Sequence, residues 1–113
     1  MTSPELLGPT PLVVTLCGSM RFHQQMLEVA AELTDGGVIV LAPFRVAAAE
    51  QQASTAKARL DQLHRHKIAM SDGVIVVTDE SRYAGESTRA EIEFATQLGK
   101  PIDWITRPAS RNR

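Results

Sequence analysis

Cysteine is nearly absent from this chain. Cys17 is the single one, so no intramolecular disulfide forms within it and a zinc site built from several cysteines is excluded. A reducing, cytoplasmic setting fits that usage. Long apolar runs are missing too. The longest charge-free stretch, Leu6 to Met20, is short and broken by Pro9 and Pro11, which argues against a membrane span. The start, Met1 to Thr10, carries Glu5 and two prolines and neither Lys nor Arg, and does not read as a signal peptide. Nor is there an excess of charge. Twelve basic and 13 acidic residues leave a net −1 with the three histidines neutral, so no field draws in a nucleic-acid polymer or an anionic membrane. Internal repeats and long low-complexity tracts are also missing.

What is present suits one globular domain. The 113 residues are 43% hydrophobic and 22% charged, and a chain of this size buries roughly two-thirds of its unfolded surface without staples. Leu12 to Leu16 is a short, β-branched-rich apolar run and predicts a strand buried on both faces. After Cys17-Gly18-Ser19 the spacing turns helical, with Phe22, Met26, Ala30 and Leu33 on one face and Gly36-Gly37 as the stop. Val38 to Leu41 predicts a second buried strand, stopped by Pro43. Val46 to Ser71 favours helix, marked by Leu60, Leu63 and Ile68. Its earlier part, Ala47 to Lys57, is polar and reads as a separate helix or a mobile lid. Val74 to Val77 predicts a third buried strand, Ser87 to Leu98 a third helix closed by Gly99, and Pro101 to Ile105 a fourth strand.

Alternating strands and helices predict a parallel sheet with right-handed crossovers. The expectation is a single α/β domain over 11–106, a small doubly wound Rossmann- or flavodoxin-like sheet of four to five strands in the order 2-1-3-4. Flexible segments 1–10 and 107–113 would flank it. Ligands of such sheets bind at the C-terminal strand ends, where the strand order switches. That directs attention to Cys17–Phe22 and Thr78–Thr88.

In Cys17-Gly18-Ser19-Met20-Arg21, a glycine turn leads into a helix N-terminus whose free N–H groups favour an anion, and Arg21 can add a bidentate contact. Ser19 can equally be a plain N-cap and Arg21 a solvated side chain. Neither a P-loop nor a G-x-G-x-x-G fingerprint is present, and Arg21 falls too early for a cysteine phosphatase. Cys17 can be an activated thiol near the helix start or a small buried residue. In the third helix Glu93 shares a solvated face with Arg89, Gln97 and Lys100, whereas Glu91 shares the apolar side with Ala95 and Leu98. A partly desolvated carboxylate there has a raised pKa and heightened reactivity. Alternatively, Thr88-Arg89-Ala90-Glu91 is a capping box. His64 and His66 are spaced against pairing as metal ligands, and His64 follows Asp61 by one turn. The spacing offers no His-plus-carboxylate cluster, so no metal is expected. Tyr83, with Ser81, Arg82 and Gly85, decorates the loop before the third helix and can cover a site or pack on its own loop.

Leu16-Cys17-Gly18-Ser19-Met20-Arg21 together with Glu91-Ile92-Glu93-Phe94-Ala95-Thr96-Gln97-Leu98-Gly99-Lys100-Pro101-Ile102 resembles the nucleoside 2-deoxyribosyltransferase superfamily, which includes the 2′-deoxynucleoside 5′-phosphate N-hydrolases. The likeness covers roughly Val13 to Ile105. It implies a small parallel α/β fold with a catalytic glutamate in the last helix. Glu91 has the family's spacing from Lys100; Glu93 does not. By that resemblance Glu91 attacks C1′ of a nucleoside or its 5′-monophosphate, and water or a second base resolves the glycosyl-enzyme. Gly18, Ser19 and Arg21 would hold the 5′ end, with Gly85 and Ser87 contributing from the facing loop; Cys17, Met20 and Tyr83 complete the expected substrate-binding set. A homo-oligomer without cofactor is implied. The chain departs from the family where many members carry an aspartate, for that position is His64. The leaving-base proton role falls to His64, falls to Asp61, or is missing. Arg89 and Glu93 stand where members often have glycine. Two other readings remain open: a non-catalytic nucleotide-binding or sensing module, and a redox protein using Cys17.

Overall fold

The computed structural model describes residues 7–44 and 55–108. Among the described residues four strands alternate with helices: β1 (Val13–Cys17), a 3-10 turn (Met20–Phe22), α1 (His23–Asp35), β2 (Ile39–Leu41), α2 (Thr55–Met70), β3 (Gly73–Thr78), α3 (Glu86–Gln97) and β4 (Ile102–Thr106). The strands form one parallel sheet in the order β2-β1-β3-β4. This is the expected small Rossmann- or flavodoxin-like architecture, with four strands among the described residues. Most element limits differ from the sequence expectation by about a residue, which is the ordinary slack of element ends; the expected start of the second helix, at Val46, lies outside the described residues.

The sheet separates two cores. Val14 and Leu16 of β1 and Val77 of β3 pack with Met26 and Val29 of α1 on one face. The alternate residues Cys17, Val74 and Val76 pack with Ile68 of α2 and Ala95 of α3 on the other. The two-residue period of a strand sets this partition, and it turns Cys17 toward α2 and α3. β1 and β3 are buried as expected of central parallel strands. β2 is not: Ile39 is 45% exposed. The sequence cannot tell an edge strand from a central one by apolar run alone, and β2 has a neighbour on only one side.

Polar clamps fix the ends. The Asp72 carboxylate accepts from the Val13 N–H at 2.8 Å while the Asp72 N–H donates to the Val13 carbonyl at 2.7 Å. Thr15 Oγ1 donates to the Lys67 carbonyl at 2.9 Å, and Lys67 Nζ donates to the Ala42 carbonyl at 2.7 Å. Arg107, assigned by sequence to a loose tail, is held instead. Its N–H donates to the Thr78 carbonyl, and its guanidinium donates to both oxygens of Glu32 at 2.8 and 2.6 Å. Such a bidentate pair was invisible because its partners lie 75 positions apart. Residues 1–6, 45–54 and 109–113 lie outside the described residues, and with them most of the expected N-terminal segment, of the Ala47–Lys57 stretch and of the tail. Among the described residues no helix is long and apolar enough to cross a membrane.

Candidate functional site

The chain passes from β1 to β2 on one side of the sheet and returns to β3 on the other, so the switch point lies between β1 and β3. Gly18 occupies the turn leaving β1. A Cβ on it would lie 2.5 Å from the Val77 carbonyl oxygen, and its φ is +153°. Only glycine brings this loop so close to β3. Ser19 then caps the 3-10 turn, its hydroxyl accepting from the Arg21 N–H at 3.3 Å. Across the gap the chain leaves β3 through a loop held by Thr78 Oγ1, which donates to the Tyr83 carbonyl at 2.8 Å. Gly85 is the N-cap of α3, with no side-chain cap.

A cavity of about 310 Å³ opens at this point. Gly18, Ser19 and Met20 form one wall; Gly85, Glu86, Ser87, Thr88 and Glu91 form another. Lys57, Leu60, Asp61 and His64 of α2 form the third, with Pro43 at the rim. A neighbouring cavity of about 250 Å³ shares Lys57, Asp61, Ser87 and Glu91 and adds Arg65. Lys57 Nζ stands between them, 2.7 Å from Asp61 Oδ2 and 3.4 Å from Ser87 Oγ. The volume is at the low end of small-molecule sites.

Glu91, His64 and Asp61 are thus brought to one place. The capping-box alternative for Glu91 does not hold, because α3 begins earlier, at Glu86 after the Gly85 cap, and Thr88 is a buried residue inside the helix. Glu91 Oε1 instead lies 3.7 Å from His64 Nε2. Burial pushes the Glu91 carboxyl up to about 7, and Asp61 adds to the rise. Burial likewise pulls His64 down to about 4. Burial disfavours the charged form of each, so the contact at neutral pH is not that of a carboxylate with an imidazolium. His64 Nδ1 is buried without a hydrogen-bond partner among the described residues.

Cys17 lies behind this pair, its Sγ 3.4 Å from His64 Nε2. Burial first, and the Glu91 charge second, raise its thiol well above the ordinary range. It is a protonated thiol at neutral pH, not the activated nucleophile that a helix N-terminus can make. Arg21 and Tyr83 do not line the cavity. The Arg21 guanidinium sits 3.9 Å from the Tyr83 ring centroid, in cation–π geometry, and Tyr83 also meets Phe22 edge-on. Leu98, expected on the apolar side with Glu91, is the C-cap of α3 and is 45% exposed. Arg89 and Glu93 are both exposed, and no ion pair joins them among the described residues.

Lys57 is the functional candidate that sequence reasoning missed. The signal was a helical stripe: Lys57, Asp61, His64 and Ile68 recur at i, i+4, i+7 and i+11. Its lower end, Ile68, is core, and its upper end lines the cavity. The expectation of no metal-ligating cluster also fails. Cys17 Sγ, a His64 nitrogen and a Glu91 oxygen all lie within 4.8 Å of one another. Spacing rules see ligands on one helix; these come from β1, α2 and α3. No family model matches the chain, and no curated protein matches it.

Proposed function

We propose that this protein cleaves the N-glycosidic bond of a nucleoside or nucleoside 5′-monophosphate, with Glu91 as the nucleophile. One observation carries the proposal: a largely buried carboxylate on the floor of a cavity whose facing wall is the Gly18–Met20 turn. A carboxylate raised to about 7 is a stronger base and nucleophile when ionised than an ordinary glutamate. Attack by its oxygen on C1′ expels the base with the electron pair of the C1′–N bond, through an oxocarbenium-like transition state. Water or a second base then releases the sugar from Glu91.

The amides of Gly18 to Met20 meet the 5′ end of the substrate. Lys57, and not Arg21, is the cation lining the cavity for a phosphate there. The leaving base faces the α2 wall, where Asp61 and His64 both stand, and takes its proton from solvent. His64 is an uncharged ring at neutral pH and shares only its single N–H, while Asp61 is tied to Lys57. A homo-oligomer accompanies this function in the family the chain resembles, and light scattering reads it.

The test is chromatographic. Nucleosides and their 5′-monophosphates, ribo and deoxy, are incubated with the protein and free base is measured, with and without a second base as acceptor. Release is expected from at least one substrate and is lost in Glu91→Gln. Thermal stabilisation by a nucleotide without release of base from any substrate would favour a binding module and overturn the enzymatic proposal.

A further inference from the structure

Three donor atoms of different chemistry converge at the back of the cavity. Cys17 Sγ and His64 Nε2 are 3.4 Å apart, His64 Nε2 and Glu91 Oε1 are 3.7 Å apart, and the three donors lie within 4.8 Å of one another. An ion with tetrahedral angles and bonds of about 2.0–2.3 Å holds its sulfur, nitrogen and oxygen ligands about 3.4–3.6 Å apart. The Cys17–His64 edge already has that length, and the His64–Glu91 edge is about 0.1 Å longer. The donors are mounted on the end of β1, on α2 and on α3, so packed elements hold them in place rather than loops. Cys17 is fully buried and His64 is 6% exposed. Protein therefore encloses the far side, and the free coordination direction faces the cavity that His64 and Glu91 line.

We propose that Cys17, His64 and Glu91 bind one divalent cation of the zinc class, with its fourth position open to the cavity, and that the bound ion holds Glu91 away from substrate. A thiolate and a carboxylate beside a neutral imidazole sum to two negative charges, which a divalent ion neutralises. The sulfur and nitrogen donors select zinc-like ions over magnesium or calcium, which take oxygen ligands. On binding, Cys17 gives up its thiol proton to solvent and its sulfur lone pair to the ion. Three protein ligands leave the fourth position of a tetrahedral ion open to the cavity. Silencing of Glu91 rests on the glycosidic proposal above; metal binding itself does not.

The untagged protein is titrated with cobalt(II) chloride near neutral pH, and its absorption spectrum is recorded. Because Cys17 is the single cysteine, a thiolate-to-cobalt charge-transfer band reports this site. The expected result is a band saturating at one ion per chain and displaced by zinc chloride. Glu91→Gln weakens cobalt binding at least about 10-fold and Cys17→Ser at least about 100-fold, since even outer-shell partners are worth about 10- to 100-fold. His66→Gln, on the exposed side of α2, binds as the parent does. Circular dichroism checks the fold of each variant, and the parent spectrum alone decides should Cys17→Ser fail to fold. Absence of the band in the parent, or equal affinity in the parent and Glu91→Gln, overturns the site. Base release that persists at saturating zinc, in protein that shows the band with cobalt alone, overturns the silencing alone. A band in a protein that releases no base condemns the glycosidic proposal and leaves the metal site standing.

Discussion

Glu91 and His64 are pushed in opposite directions by the same cause. Desolvation penalises charge, so the carboxyl titrates late, at about 7, and the imidazole early, at about 4. For catalysis the ionised Glu91 is the active form. The pH profile of kcat/KM should therefore rise with pH and level off above about 7. A profile already flat from pH 5 would mean that Glu91 does not titrate in the free enzyme as its surroundings require. The groups facing it are Cys17 from β1 and His64, Asp61, Lys57 and Arg65 from α2; after burial, Cys17, Asp61, Arg65 and Lys57 each set part of that value. Lys57 offers a second test at this scale. Lys57→Met should raise KM for a 5′-monophosphate about 10-fold or more, the worth of one hydrogen bond to a charged group, and change KM for the nucleoside much less. Equal effects on both would place Lys57 elsewhere than at the phosphate.

Elements matter through their faces. In α2 the stripe Lys57, Asp61, His64 and Ile68 runs from the cavity into the core. Sequence periodicity picked Leu60, Leu63 and Ile68 instead, and Leu63 proves 55% exposed. Polar residues on a core-facing stripe defeat a pattern that looks for apolar ones. In β1 the sequence identified a buried strand but not which face Cys17 takes, because parity follows only from the strand register. The core-facing side of α3 that carries Glu91 was legible through Ala95, whereas Leu98, the other residue expected on it, is 45% exposed. Arg21 was legible as a rim residue, but its stacking on Tyr83 depends on a loop whose path no spacing rule gives. The turn after β1 carries its own prediction. Gly18→Ala drives a methyl into the Val77 carbonyl and should cost about 1–3 kcal/mol, seen as a lower urea midpoint at unchanged slope. A midpoint unchanged from the parent would mean that the loop can retreat from β3.

For the whole molecule, strand order followed from the alternation of apolar runs and helical stretches, which is global information carried locally. The site was harder, because its three deepest groups come from elements far apart in the chain. Their titration reaches the stability of the entire fold. Glu91, raised from 4.5 to about 7, contributes stability in its protonated form below pH 4.5 and loses it as pH climbs to about 7. His64, lowered from 6.5 to about 4, contributes above pH 6.5 and loses its contribution as pH falls to about 4. Between pH 4.5 and 6.5 these two slopes oppose each other and largely cancel. Glu91→Gln removes one of them. In metal-free buffer that variant should exceed the parent in stability at pH 8, by up to about 3 kcal/mol, and the advantage should shrink toward pH 4.5. Thermal melts across pH measure this, and a constant offset between variant and parent would show that burial does not shift Glu91.

The most direct measurement is of the covalent state of Glu91 during turnover. Parent protein is mixed with the nucleoside or 5′-monophosphate that releases base, quenched in acid within the first turnovers, and its mass is recorded intact and after proteolysis. A mass increase of one glycosyl unit on the peptide holding Glu91, absent in Glu91→Gln, is the predicted result. Base release without any adduct there, an adduct on another residue, or no base released from any nucleoside or monophosphate would contradict it.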